Sequence, residues 1–228
     1  MRLNFMNKGF TLVEVLITLA ISGILMTSVY AAFQVQQDSY LAQDQVAEMQ
    51  QNCRAGVGML VYELRMAGYD VDQNGDKTGT AGITVANPSD ITFTLVADSD
   101  GDDNDGDGTT DELGELKTVR YDLYDAYGDG DNDLGRQVGA VKRAVAENID
   151  ALEFNYLDSA GTVTAAVANI STIQISILAR AGNPDRKYNN TQTYTSASGD
   201  VVAPWGPVND NFRRRFENVT VKCRNMGL

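Results

Sequence analysis

Residues 9–33, GFTLVEVLITLAISGILMTSVYAAF, decide how the rest of the chain is read. Leu12 to Phe33 is a run of 22 residues with one charged side chain, Glu14. As a helix rising about 1.5 Å per residue, such a run is long enough to cross a hydrocarbon core about 30 Å thick. Arg2 and Lys8 precede it. Positive charge ahead of an apolar stretch favours holding the leader in the cytoplasm and translocating the chain beyond the stretch. A secretory signal peptide would place a small-residue cleavage site after the apolar run, and SVYAAF is a weak version of one.

Glu14 is the anomaly in that run. An ionised carboxylate near the start of a membrane segment is costly unless it is paired, which makes it a functional-site candidate. The plain alternative is a side chain at the interface that keeps its water. The hexapeptide Gly9-Phe10-Thr11-Leu12-Val13-Glu14, behind a short basic leader and ahead of an unbroken apolar run, resembles the processing site of type IV prepilins. That resemblance implies that a prepilin peptidase cuts after Gly9 and methylates the new amino group of Phe10. It also implies that Glu14 pairs with the terminal amine of a neighbouring subunit as the protein moves from bilayer to filament. The pairing is physically sensible, because a carboxylate and an ammonium in an apolar bundle survive by facing each other. Glycine before the cut suits a peptidase that must fit an extended backbone without a side chain. Removal of nine of the 228 residues would leave 219.

Beyond Phe33 the helical pattern continues without proline. Val46, Met49, Cys53, Val57, Leu60, Leu64 and Ala67 recur at spacings of 3, 4, 4, 3, 4 and 3, lining one face opposite Gln, Glu and Arg. Gly23, Gly56 and Gly58 weaken the helix locally, with a bend near Gly56 or close packing as the two readings, and Gly68 is a plausible stop. The stretch LVYELRMAGYD at Leu60 to Asp70 resembles the PilW-like minor pilins, with pseudopilin J of type II secretion as the nearest relative. The resemblance implies an α+β, type IV pilin-like fold: a long amino-terminal helix and then a β-sheet-rich head. The expected organisation is a leader at 1–9, a membrane or filament-core helix at 10–33, an amphipathic continuation at 34–68 and the head at 69–228.

In the head, β-branched and aromatic runs predict strands at Ile91–Ala97, Leu116–Leu123, Ala151–Leu157, Ser171–Ala179 and Glu217–Cys223. No long second helix and no glycine-rich phosphate loop is evident, which argues against a doubly wound nucleotide-binding fold. Cys53 and Cys223, two cysteines in a body expected to be exported, read as one disulfide, with a pair of buried thiols as the alternative.

Charge is concentrated. The chain has 18 basic and 31 acidic side chains, a balance of -13, and 14 of the acids lie between Asp98 and Asp133 against Lys117 and Arg120. Direct nucleic-acid binding is therefore not expected. There is no histidine, so histidine relays and histidine metal sites are excluded. Asp103, Asp105, Asp107 and Asp111 with Gly108 match the front of a calcium loop, where alternate oxygens converge on one hard cation. Position 12 is Gly114, so Glu112 or Glu115 must complete the shell. Asp70, Asp72 and Asn74 repeat the pattern as a second candidate metal set, Asp125 to Asp133 is looser still, and a merely solvated acidic loop is the alternative to any Ca²⁺ site. Paired carboxylates also suggest glycosidase chemistry, but no apolar cleft that would separate their roles is legible. No enzymatic activity is expected.

Tyr121, Tyr124, Tyr127 and Trp205 read as a subunit contact, an adhesive surface or the cover of a sheet edge. Arg213, Arg214 and Arg215 read as partners for a neighbour's acidic loop or as solubilising charge. The resemblance implies a minor pilus subunit acting in initiation or the tip complex. Its implied partners are the prepilin peptidase, other minor pilins, the major pilin and the inner-membrane assembly platform. The precursor would sit in the inner membrane with its head on the periplasmic side, and later in the pilus at the cell surface. A pseudopilin J-like subunit and a pilus-anchored adhesive module are the alternatives.

Overall fold

A computed structural model describes residues 9–72, 74–76, 81–104, 106–201 and 204–226. Helix α1 spans Leu12–Met66, 55 residues without interruption at Gly23, Gly56 or Gly58. It ends where Gly68 takes φ +74°, a left-handed conformation that costs glycine little and closes many helices. The amides of Ala67 and Tyr69 bond back to Leu64 and Met66, while that of Gly68 bonds to Thr94 in the sheet.

The chain forms two compact units that divide between Asp44 and Gln45. In the first, the large apolar side chains from Leu12 to Phe33 are exposed. An 18-residue window there has a mean hydropathy of 2.1, so α1 meets the length and composition needed to cross a membrane. Water is a poor solvent for such a surface, and lipid or an apolar bundle is a good one.

The second unit contains two antiparallel sheets. Five strands follow one another as a meander: β1 (Ile83–Ala86), β2 (Ile91–Val96), β3 (Leu116–Tyr124), β4 (Asp133–Val138) and β5 (Val141–Ala146). A second sheet orders β6 (Ile149–Leu157), β7 (Thr172–Arg180) and β8 (Arg214–Lys222). The core takes Met49, Cys53, Val57, Leu60 and Leu64 from the helix, Ile91, Phe93, Val119, Tyr121 and Leu134 from the first sheet, and Phe154, Ile173, Ile175 and Ile177 from the second. These helix residues lie on the stripe that the 3/4 spacing marks. Leu60 and Leu64, both fully buried, each contribute about 2 kcal/mol by leaving water.

Gly56 lies on the buried face. A Cβ there would stand 2.7 Å from Cβ of Ala146 and 3.1 Å from Cδ2 of Leu134, so this glycine permits close helix–sheet packing. A polar tie reinforces the same contact. Tyr121 donates its hydroxyl hydrogen to Glu63 Oε2 at 2.5 Å, and Arg136 Nε donates to both Glu63 oxygens at 3.0 and 2.9 Å. Burial, and then the adjoining Glu63 carboxylate, push the Tyr121 hydroxyl pKa well above its ordinary value.

The five expected strands correspond to β2, β3, β6, β7 and β8. Strands β1, β4 and β5 were not expected. Beyond α1, the described residues add one short 3₁₀ turn, Val167–Asn169. Trp205 is 3% exposed and packs with Ala151 and Leu178, its ring edge-on to Phe216 at 6.0 Å. It belongs to a satellite core on the second sheet, which agrees with the covering role among its expected readings rather than with a subunit contact or an adhesive surface.

Candidate functional site

The amino-terminal element is built around Thr11, the residue preceding α1. The Thr11 amide and hydroxyl both donate to Glu14 Oε2 at 2.9 Å, and the Glu14 amide donates to the Thr11 hydroxyl oxygen at 3.3 Å. This is a capping box: a threonine at the helix entry and a glutamate three residues on satisfy each other's open amides. The T-x-x-E spacing at Thr11–Glu14 is the signal that marks this cap, a role beyond the assembly and interfacial ones expected of the carboxylate. Gly9 and Phe10 lie outside the helix, just before the cap, and are exposed. Arg2 and Lys8 lie outside the described residues.

The acidic set expected to hold calcium lies in the β2–β3 connection, residues 97–115. Its base is closed by the Ala97 amide bonding to the Glu115 carbonyl, and by the Gly114 amide donating to Asp98 Oδ1 at 3.0 Å. Asp103 accepts the Gly106 and Gly108 amides at 2.6 and 3.0 Å, Asp107 that of Thr109 at 2.8 Å, and Asp111 that of Gly101 at 2.8 Å. The backbone thus takes up these carboxylates one by one. Glu112 is half-buried, and Asp105 lies outside the described residues. Among the described residues, no three His, Cys, Asp or Glu side chains are set around a point where a metal ion would sit. Glu115 and Asp98 are both buried, at 3% and 4% exposed, and Glu115 Oε1 accepts the Asn104 amide.

Asp72 accepts the Asn74 and Asp76 amides at 3.0 and 2.8 Å, so this run forms a self-capped turn. The structure does bring its edge to the larger loop, because Asp72, Asp98, Asp100 and Lys117 line one depression. Lys117 Nζ lies 2.6 Å from Asp100. Partial burial pushes the Asp100 carboxyl pKa up, but hydrogen bonds from Lys117 and the Asp102 amide outweigh it and hold the value low. In the third run, Asp125 collects the amides of Gly130, Gly128 and Asp129, which hold its pKa low. Asp133, buried, receives those of Ala126 and Asn148.

The cysteines correct the expected bond. Cys53 and Cys223 are separate buried thiols. Glu217 of β8 lies beside Cys53, whereas Cys223 follows six residues later along the same extended segment, a path of roughly 20 Å. Disulfides need Cα atoms within about 7 Å, and this packing opposes that approach. Burial pushes the Cys53 thiol pKa up to about 12 and that of Cys223 up to about 11.

The arginine run is engaged within the head. Arg213 pairs with Asp185 at 2.8 Å and stacks over Tyr188; Arg215 pairs with Glu217 at 3.1 Å. Arg214, its side chain 4% exposed, binds Asp210 through two nitrogens at 2.6 and 2.7 Å and also meets Asp150. These partners replace the expected neighbour's loop because β8 brings Arg214 directly against aspartates of its own head. Of the tyrosines, Tyr121 is core, Tyr124 lies under the Lys142 ammonium at 4.1 Å, and Tyr127 is 65% exposed.

Residues 4–30 match the prokaryotic N-terminal methylation motif. This motif implies processing by a prepilin peptidase. A search of curated proteins finds no match. Among solved structures, the type IV-like pilin TTHA1219 from Thermus thermophilus aligns with 78% of this chain and 97% of its own, at 15% identity and a TM-score of 0.49.

Proposed function

We propose that this chain is a minor structural subunit of a type IV pilus, cut after Gly9, methylated at Phe10, and active in pilus initiation or in the tip complex. The observation that carries the reading is the methylation motif over residues 4–30, continuous with an exposed apolar helix that holds a single carboxylate. The precursor would wait in the inner membrane with its head on the periplasmic side. The prepilin peptidase, the assembly platform, the other minor pilins and the major pilin are its partners. Before assembly, Glu14 closes the capping box with Thr11; in the filament its carboxylate would meet a neighbour's terminal ammonium. Elaborate loops on the head favour low copy number, since repeating them in every subunit would crowd a filament.

Mass spectrometry of purified, sheared filaments tests the proposal. The expected species lacks residues 1–9 and carries one added methyl group, at a small fraction of the major subunit. Retention of the leader in assembled filaments would overturn it. So would recovery in the pseudopilus of a secretion system, which would support the pseudopilin J alternative. Glu14→Gln separates the two roles of that side chain. Glutamine keeps the capping acceptor but loses the charge, so helix entry should be preserved while incorporation falls. Incorporation equal to wild type in Glu14→Gln and lost only in Glu14→Ala would assign Glu14 to capping alone.

A further inference from the structure

Strand β5 is an outer strand of the five-stranded sheet and pairs with β4 alone. No other backbone hydrogen bond involves Val141 to Ala146 among the described residues, so the outer row of amides and carbonyls lies open along the strand. Such a row is a template for another strand, and charged side chains restrict what pairs with it. A groove of about 520 Å³ adjoins this edge, its lining including Met59 of α1, Val138 of β4, and Val141 and Arg143 of β5. Met59 is 38% exposed and Val141 55%, so the groove presents apolar surface beside the open backbone. Tyr121, Arg136 and Arg143 are paired neighbours across β3, β4 and β5, and the first two bind Glu63 of α1, which puts Arg143 on the helix side of the sheet with Val141 two residues before it. Lys117 and Arg136 also line the groove, with Asp102 as the one acid. Lys117 is held by Asp100 at 2.6 Å and Arg136 by Glu63, while Lys142 on the other face of β5 is held by Asp122 at 2.6 Å. Arg143 is exposed and has no hydrogen bond or ion pair among the described residues.

We propose that β5 accepts, as a sixth strand, an extended segment of a partner protein that sets an acidic side chain opposite Arg143 and an apolar one opposite Val141. Main-chain bonds to the open edge supply the affinity, and the groove reads alternate side chains of the incoming strand. The two residues are spaced by the strand's own period, so the partner's acid and apolar residue stand two positions apart. Met59, with its unbranched thioether, adapts the floor of the groove to the shape of the apolar residue. A second copy of β5 does not meet the requirement. Laid antiparallel on the first, it would bring Lys142 and Arg143 near their own copies, and like charges across a strand pair destabilise it. The occupant therefore carries the opposite sign. The inference uses the head alone and stands independently of the filament reading.

Selection of phage-displayed random peptides, roughly nine residues long, on the full chain in detergent tests this. The wild type should enrich peptides with an acidic residue two positions from an apolar one, and a selected peptide, made synthetically, should bind in calorimetry. Methylating alternate backbone amides of that peptide should abolish binding for one row and spare it for the other, because only one row faces the edge. Arg143→Glu changes an exposed side chain; it should weaken the selected peptide at least about tenfold and favour the version with lysine in place of the acid. Hydrogen–deuterium exchange on the unmutated chain gives a readout that survives if Arg143→Glu fails to fold. The selected peptide should protect the segment containing residues 141–146. Four results would overturn the proposal: no enrichment over protein-free micelles; an equal effect of the two methylated rows; protection confined to other segments; or a folded Arg143→Glu that binds the acidic peptide like wild type.

Discussion

Replacing Gly56 and Gly58 with alanine, one at a time, separates helix propensity from helix–sheet packing. The two glycines are two residues apart on α1 and face different surroundings. At Gly58 a Cβ would meet nothing within 4 Å, so Gly58→Ala should gain about 0.8–1.0 kcal/mol from propensity alone. At Gly56 the same gain is opposed by overlap with Ala146. Carbon atoms in contact prefer about 3.5–4.0 Å, and 2.7 Å leaves a deficit close to 1 Å. Cβ of Ala146 has no rotamer to escape into, so relief must come from moving β5 or the helix backbone. Overpacking of this kind costs about 1–3 kcal/mol, which leaves Gly56→Ala destabilised by about 1 kcal/mol and the two variants about 2 kcal/mol apart. Thermal and urea unfolding of a soluble fragment beginning at Val35 would read this as a Tm difference of roughly 4–8 °C for a domain of this size. If Gly56→Ala is as stabilising as Gly58→Ala, the close contact between α1 and β5 is not a packing constraint and the reasoning fails.

Glu63→Ala should cost about 3 kcal/mol in the same fragment, because it leaves the Arg136 guanidinium and the Tyr121 hydroxyl without their shared partner; a loss under 1 kcal/mol in urea unfolding would reduce the tie to a surface ion pair. The hydrogen bonds from Arg214 hold the Asp210 carboxyl pKa below its ordinary value. The stabilising contribution is therefore present above the unfolded carboxylate pKa near 3.9 and is lost as pH falls through the folded value. Asp210→Asn should accordingly flatten the stability profile below about pH 4 while lowering stability at pH 7, and an unchanged acid limb would contradict the assignment. Iodoacetamide at about pH 8 should label neither cysteine in the native protein, since both thiols are buried and hold their protons. After denaturation without reductant both should label, and failure to label would reveal a disulfide.

The parts of the fold that sequence made legible are those where one physical signal acts alone. Leu12–Phe33 has composition and length with no competing charge except Glu14. The stripe from Met49 to Ala67 follows helical spacing, and Ile173, Ile175 and Ile177 alternate on a strand whose neighbours on both sides are also strands. Strands β4 and β5 hide because their pairing is carried by backbone bonds under side chains that read as loop. DLGRQV contains a glycine where Tyr124 and Lys142 crowd in, and VKRAVA carries two adjacent basic residues. Neither run has the apolar alternation by which a half-buried strand announces itself.

The candidate site shows the opposite balance, because the deciding factor there is not spacing but which groups the fold leaves unsatisfied. The alternating aspartates point to Asp103, Asp105, Asp107 and Asp111, yet in the structure Asp103, Asp107 and Asp111 each accept nearby amides. Of the two glutamates, burial singles out Glu115, one position past the expected end of the motif. Spacing alone offers both Glu112 and Glu115 as completing residues and has no means to choose, since the choice depends on where β3 begins. Leu116 starts that strand, and Glu115 is carried inward at its edge. The cysteines follow the same logic: counting them suggests a bond, but β8 places Glu217 beside Cys53 and carries Cys223 six residues further on. In each case the residue types are visible in the chain, while their pairing is set by strand register, which no local pattern encodes.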